Sequence, residues 1–579
     1  GAVGGQFDFN RLNTGGYDAN GNNLGQTGDP FASFLLGQVF ASNQTIPVQP
    51  TFNEAYTATW VNDEFKLSDK LTLTLGLRFD YQFARTESAD QYSTFDPNTP
   101  NPGAGGIPGA LIFAGDGTNR SGRRTFENPA KDAWGPRLGF AYRMSDKNVI
   151  RGGYGMYYSG VAFSQFIGAP TLGFQGNPFA PNLSNGRDPA FYLDNGFPQD
   201  RIVRPPFIDP TFANGGNIVA VAQDGLTLPR FQNWSVTLQH QLTDSMMLDV
   251  SYIGNRGSRL NHHFQTLGVD ANMNDPSVLG YGASVLQSPA DSAAAQAAGI
   301  DLPYPGFVGN VAQALRKYPQ YQQIQWRGVP TGESQYHALE VVLERRFSRG
   351  LQFRVGYTYS RLRNNGAESA QGDNGINARV QNPADPLEWS LSADDTPHVF
   401  LTGFTWEVPG TQSFTGVKKA VLGGWNVSGI LRYESGRPFN ITMANDLGGF
   451  LFNDQKRPNR ASGVDAVADL SNFDPNSSTN GRYFNPAAWT DPGPLQFGSA
   501  PRNDGTVRSF PVYSEDLNLF KEFMVNGNNK FRFEAMFGNI FNRVLFCDPN
   551  TNWSAGSFGT VNTQCNQPRS IQMAVRFDF

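Results

Sequence analysis

Apolar and polar side chains alternate along many stretches of this chain. At its end, Ile571, Met573, Val575, Phe577 and Phe579 fall on one side of an extended strand, with Gln572, Ala574, Arg576 and Asp578 on the other. Leu71, Leu73, Leu75, Leu77, Phe79 and Tyr81 alternate in the same way with Thr72, Thr74, Arg78 and Asp80. So do Phe353, Val355, Tyr357 and Tyr359 with Gln352, Arg354, Thr358 and Ser360, and Phe531, Phe533, Ala535 and Phe537 with Lys530, Arg532 and Glu534. Helical spacing would scatter these apolar residues around a cylinder, so period two predicts strands. An oily side opposite a charged side fits a barrel wall between lipid and a wet lumen. A water-soluble sandwich, its apolar faces turned into a core, gives the same alternation. Periodicity alone fits both.

Connection lengths separate the two readings. Strands are predicted near 4–12, 33–44, 52–67, 69–84, 133–145, 147–159, 229–243, 245–256, 334–347, 350–363, 395–408, 422–436, 511–525, 528–543 and 567–579, about fifteen in all. Turns of a few residues are expected at 68–70, 145–147, 243–245, 348–350 and 526–528. Long connections run roughly over 85–132, 160–228, 257–333, 364–394, 437–510 and 544–566. From residue 69 short and long alternate, with one intermediate case at 409–421. A membrane barrel has that asymmetry because its two rims face different compartments. A sandwich or propeller has no reason to keep its long loops on alternate connections. Loops this long, with only 288–298 reading as a short helix, would be suspect in a compact soluble domain. The expected fold class is therefore all-β, an antiparallel transmembrane barrel with long external loops. An odd strand count would leave the first and last strands parallel, whereas single-chain bacterial barrels are even and antiparallel. The whole of 1–579 is thus expected to be barrel domain, with N-terminal strands missing from it.

Composition agrees. Aromatics make up 13% of the residues, including 46 Phe and 20 Tyr, which suits girdles at two membrane interfaces. No apolar run is long enough for a membrane helix. A formal net charge of -5 argues against nucleic acid as a partner, and the partner expected instead is outer-membrane lipid.

The search for chemistry is mostly negative. His240, His262, His263, His337 and His398 stand in no metal-ligand spacing, although His262 and His263 in a loop could touch a metal chelate. Asp18, Asn20 and Asn22 open like a calcium loop, but Asn23 occupies the place of the sharp-turn glycine. No nucleophile elbow, P-loop or dinucleotide fingerprint occurs in context, so neither an enzyme nor a cofactor is expected. Cys547 and Cys565 flank the last long connection, and a surface location favours a disulfide between them.

Several segments, in order, are more specific. Asp29-Pro-Phe-Ala-Ser-Phe-Leu-Leu-Gly37, Arg151-Gly-Gly-Tyr-Gly-Met-Tyr-Tyr158, Val250-Ser-Tyr-Ile-Gly-Asn-Arg-Gly257, Gly424-Trp-Asn-Val-Ser-Gly429, Ser435-Gly-Arg-Pro-Phe439 and Asn539-Ile-Phe-Asn542 resemble Oar-like TonB-dependent outer-membrane receptors. That resemblance implies a barrel of about 22 strands, preceded by a regulatory-like β-sandwich, a TonB box and a plug, none recognisable here. It implies import of a scarce or large ligand, with TonB acting through the absent plug. A passive porin or secretion channel, and a surface-binding protein anchored by its barrel, are the alternatives. Arg78, Asp80, Glu340, Arg354, Arg532, Glu534 and Arg576 are expected to face the lumen, either serving plug and ligand or merely pairing across strands. Tyr154, Tyr157, Tyr158 and Trp326 are candidates for ligand stacking, against the plainer reading of girdle or loop-packing aromatics.

Overall fold

The computed structural model describes residues 5–19, 22–43, 48–160, 171–175, 179–180, 188–198, 205–221, 226–260, 272–327, 329–365, 380–382, 384–409, 414–453, 455–477, 480–526 and 529–579. From Tyr56 onward, every run of alternating side chains forms a strand of one large antiparallel sheet. These strands are β1 (Tyr56–Lys66), β2 (Leu71–Gln82), β3 (Trp134–Ser145), β4 (Asn148–Tyr158), β5 (Arg230–Thr243), β6 (Met246–Leu260) and β7 (Gly332–Ser348). They continue as β8 (Leu351–Asn364), β9 (His398–Glu407), β10 (Trp425–Glu434), β11 (Val512–Asn526), β12 (Asn529–Gly538) and β13 (Ser570–Asp578). Order in the sheet equals order in the chain, and only the short strand Ser390–Leu391, paired to β8, lies off this path.

Tight turns follow from local chemistry. The Ser68 hydroxyl accepts from the amides of Lys70 and Leu71, both at 3.2 Å, closing the β1–β2 hairpin. Between β7 and β8, Arg349 and Gly350 have φ of 53° and 75°. A two-residue turn with both φ positive matches the right-handed twist of the strands it joins.

Three expectations need correction. Segments 4–12 and 33–44 are not wall strands. Gln6–Asp8 and Ala41–Asn43 are extended and pair with each other away from the wall, and Gln38–Val39 pairs with Phe191–Tyr192. Between them Pro30–Leu35 is helical, because the Asp29 carboxylate accepts from the amides of Phe31 and Ala32 and Pro30 fits the first helical turn. The wall therefore has thirteen strands in sequence, not fifteen. Nor is it closed: β1 and β13 are the sheet's two edges among the described residues, and strict alternation makes them run the same way. The helix expected at 288–298 is shortened to Ala293–Ala297, capped by Ser292, and a separate helix, Ala283–Gln287, precedes it with Pro289 between the two.

The long connections are not irregular. Phe95, Leu111 and Phe113 (β2–β3), Phe174 and Ile218 (β4–β5), and Tyr318, Tyr321 and Ile324 (β6–β7) share one buried core. Leu286 and Val311 of the β6–β7 connection join Leu447, Phe450 and Leu451 of β10–β11 in a second. Phe484 and Trp489 of β10–β11 join Phe558 and Val561 of β12–β13 in a third. The β8–β9 connection is tied in by buried charge: Glu388 accepts from Arg457 at 2.8 and 3.0 Å. All the long connections are thus fused into one layer, here called the cap, on the rim opposite the tight turns. Cys547 and Cys565 form a disulfide within it.

Candidate functional site

Residues directly opposite each other in an antiparallel pair share a face, so orientation passes from strand to strand through the register. Followed this way, Arg78 and Asp80 on β2, Glu340 on β7, Arg354 on β8, Arg532 and Glu534 on β12 and Arg576 on β13 stand on a single face. The other face carries Leu75, Leu138, Tyr252, Leu339, Phe531 and Val575.

Most of the charges on the polar face have a neighbour of opposite sign. Arg78 donates to Asp80 at 2.8 Å, and Tyr56 on β1 donates to the same carboxylate. Arg354 reaches Glu344 at 3.8 Å, Arg532 reaches Glu534 at 2.6 Å, and Arg576 reaches Asp578 at 2.7 Å. Arg532 also lies over the ring of Phe520, 4.3 Å from its centroid. Glu340 sits in register between Ser251 and Thr358. Apolar side chains interrupt this face: Leu401, Ile430 and Met536 are 49%, 58% and 36% exposed on it. Beside them lies a concavity of about 890 Å³, lined by Glu344, Arg354, Ile430, Asp516, Asn518 and Met536.

The four aromatic candidates are not brought together. Tyr154 lies on the apolar face between Leu138 and Trp234 and donates to Gln232 at 3.2 Å. Tyr158 shares that face and donates to the Asp132 carbonyl at 3.3 Å. Tyr157 points to the polar face, under the Arg137 guanidinium at 4.8 Å. Trp326 packs in the cap against Phe95, centroids 5.6 Å apart, on a short parallel pairing of Asn217–Val221 with Gln323–Arg327. Of the histidines, His240, His337 and His398 lie on the apolar face, where His337 and His398 bond Tyr252 and Tyr357 at 2.8 Å. His262 and His263 lie outside the described residues. The Asp18 carboxylate is taken up by the Asn22 amide at 2.9 Å, closing a turn. Among the described residues no three His, Cys, Asp or Glu side chains form a metal-ligating group.

A site that sequence reasoning missed lies in the cap. A cavity of about 610 Å³ opens where the first and second cores meet, lined by Tyr304, Phe307, Asn310, Gln313, Arg316 and Phe452. Its walls offer rings, amides and one guanidinium, Arg316 lying over the Phe452 ring. Burial raises the Tyr304 hydroxyl above its ordinary range and raises Tyr321 further, so both stay protonated hydrogen-bond groups. Its residues come from connections far apart in sequence, and no local motif announces them.

A sheet with one oily and one charged face, tight turns at one rim and a folded layer at the other, defines an outer-membrane wall. The chain belongs to the outer membrane beta barrel domain family, which matches residues 2–572, and its place is the bacterial outer membrane. No curated protein matches it. Among solved structures it is similar to the ferripyoverdine receptor of the outer membrane of Pseudomonas aeruginosa, at 10% identity and a TM-score of 0.38, over 92% of this chain and 40% of that one. It is similar also to the outer membrane transporter YddB from Escherichia coli, at 10% identity and a TM-score of 0.38, over 92% and 54%. The copper transporter OprC gives 9% identity and a TM-score of 0.37, over 94% and 49%. The chain spans between 40% and 54% of the length of these three structures.

Proposed function

We propose that this chain is the greater part of the wall, and the external binding layer, of a TonB-dependent receptor of Oar-like type that imports a scarce or large ligand. The observation that carries the reading is the bare apolar surface of Leu401, Ile430 and Met536, with Trp60, on the face that also carries the charges. A water-filled passive pore gains nothing from apolar side chains in its lumen, whereas a plug seated there would bury them at about 25 cal/mol per Å². Closing the wall with antiparallel pairs then calls for an odd number of further strands. The cap, with its cavity beside Tyr304 and Arg316, would meet the ligand first, and Tyr157 would meet it at the polar face. TonB, drawing on the inner-membrane proton gradient, would act through the plug.

The test is uptake by cells that carry or lack the intact gene, over a panel of labelled iron chelates, peptides and oligosaccharides, with and without a protonophore. Gene-dependent uptake that the protonophore abolishes is expected. Uptake that depends on the gene but not on the gradient would establish a passive channel instead. Ligand bound by cells and never internalised would establish a surface-binding protein.

A further inference from the structure

On the apolar face the register sets side chains in level rows. Trp234, Gly254, His337 and Arg361 lie opposite one another across β5 to β8. One step toward the cap stand Gln232, Arg256, Gln335 and Arg363; one step away stand Val236, Tyr252, Leu339 and Tyr359. From Met246 at the tight-turn rim to Arg256, ten residues at a rise of ~3.3 Å and a tilt of ~40° cover about 25 Å, the height of a barrel's hydrocarbon band. Arg256 and Arg363 therefore stand at the outer edge of that band, at headgroup level, with Arg361 about 5 Å below them and rings beneath.

Two of them belong to a formed cavity. Arg361 and Arg363 line a space of about 510 Å³ whose remaining walls include Tyr359 of the wall and Leu387, Trp389 and Arg508 of the cap. The one acid in its walls, Asp395, is already engaged by Arg508 at 2.7 Å. Arg256 pairs loosely with Glu333, at 3.6 Å. Arg361 and Arg363 make no ion pair among the described residues, and the buried Nε of Arg363 has no hydrogen-bond partner there. Uncompensated guanidiniums at a lipid boundary are costly unless an anion answers them. Guanidinium forks match phosphate oxygens in geometry as well as charge.

We infer that this cavity seats the phosphorylated headgroup of an outer-leaflet lipid, with Arg361 and Arg363 on the phosphate and the acyl chains lying down the wall over Tyr359 and Leu339. A lipid fits better than a dissolved anion because Tyr359 and Leu339 continue the cavity's floor into the hydrocarbon-facing surface.

The test uses the full-length protein in detergent micelles, stripped of lipid, with native mass spectrometry reading retention of lipid A, dephosphorylated lipid A, and lipid A in excess inorganic phosphate. Wild type is expected to hold the phosphorylated form on the order of tenfold more tightly than the dephosphorylated one. R361Q/R363Q should lose that preference while keeping the heat-modifiable gel mobility of a folded barrel, and phosphate should not displace the lipid. Equal retention of the two lipids by wild type would overturn the inference without recourse to any variant. So would a folded R361Q/R363Q protein with undiminished preference, or displacement by phosphate, which would mark a soluble-anion site.

Discussion

Glu388→Gln separates the cap from the wall. The Glu388 carboxylate accepts from both terminal nitrogens of Arg457 at 2.8 and 3.0 Å and from the amides of Gln381 and Asn382 at 2.9 and 3.2 Å. Arg502 stands 3.9 Å away, and its Nε donates to the Glu388 carbonyl at 3.2 Å. The side chains of Arg457 and Arg502 are fully buried and that of Glu388 is 4% exposed. Glutamine keeps the shape, removes the charge and turns an N–H₂ toward guanidiniums. Breaking a buried pair from one side costs about 3–5 kcal/mol. At ~1.4 kcal/mol per decade, local opening of the cap should become roughly 140- to 3,700-fold more frequent. The wall, held by its own ladder, should be untouched. Hydrogen exchange followed by fragment mass spectrometry reads this directly: fragments over 380–382 and 455–460 lose protection, those from β5 to β8 do not. Arg354→Gln is the control, because its pair with Glu344 is long and exposed, and such pairs contribute about 0–1 kcal/mol. Protection in the cap within about fivefold of wild type would refute the reasoning, since even the low end of the range predicts more.

Other outcomes follow from single features. Cys547→Ser removes a link across a sequence separation of 18, and should cost the last connection about 3 kcal/mol, read as protease cleavage within 548–564 that reductant reproduces in wild type. Asp132 and Asp548 should respond to pH with opposite signs. The hydrogen bond from Arg259 holds Asp132 below the usual carboxylate range, so its contribution is present above the unfolded value of ~3.9 and lost as pH falls through the lowered one. Burial pushes Asp548 up, so its contribution declines as pH climbs from the unfolded value of ~3.9 toward the raised one, and Asp548→Asn should flatten that decline in thermal melts followed upward in pH from the unfolded value. Tyr157→Ala should weaken uptake of the cognate ligand without altering heat-modifiable mobility; unchanged uptake would leave Tyr157 a wall residue.

Strand position and facing were legible because a strand's period is two and nothing interrupts it. Once Leu75 points one way, Arg78 must point the other, and register carries that choice from β2 to Arg576 on β13. The cap was illegible for the opposite reason. Phe95, Ile218 and Tyr321 meet in one core from three connections, and nothing in the residues around each of them names the others. The helix at Pro30–Leu35 was misread although Phe31, Phe34 and Leu35 stand at helical spacing, because the run is too short to display a period and only the cap from Asp29 marks its start. The tyrosines show what alternation cannot supply: it sorts Tyr154 and Tyr158 from Tyr157, but not a lipid-anchoring ring from a ligand-facing one.

The two rims of this wall are mechanically unlike. Under the cap, strand ends are stitched to strands several places away through shared cores and buried charge, so their spacing is fixed like staves under a hoop. At the opposite rim each stave is tied only to a neighbour, by a short turn or, between β9 and β10, by a connection that carries the helix Gly416–Leu422. Any splaying of the staves should therefore begin at the rim away from the hoop.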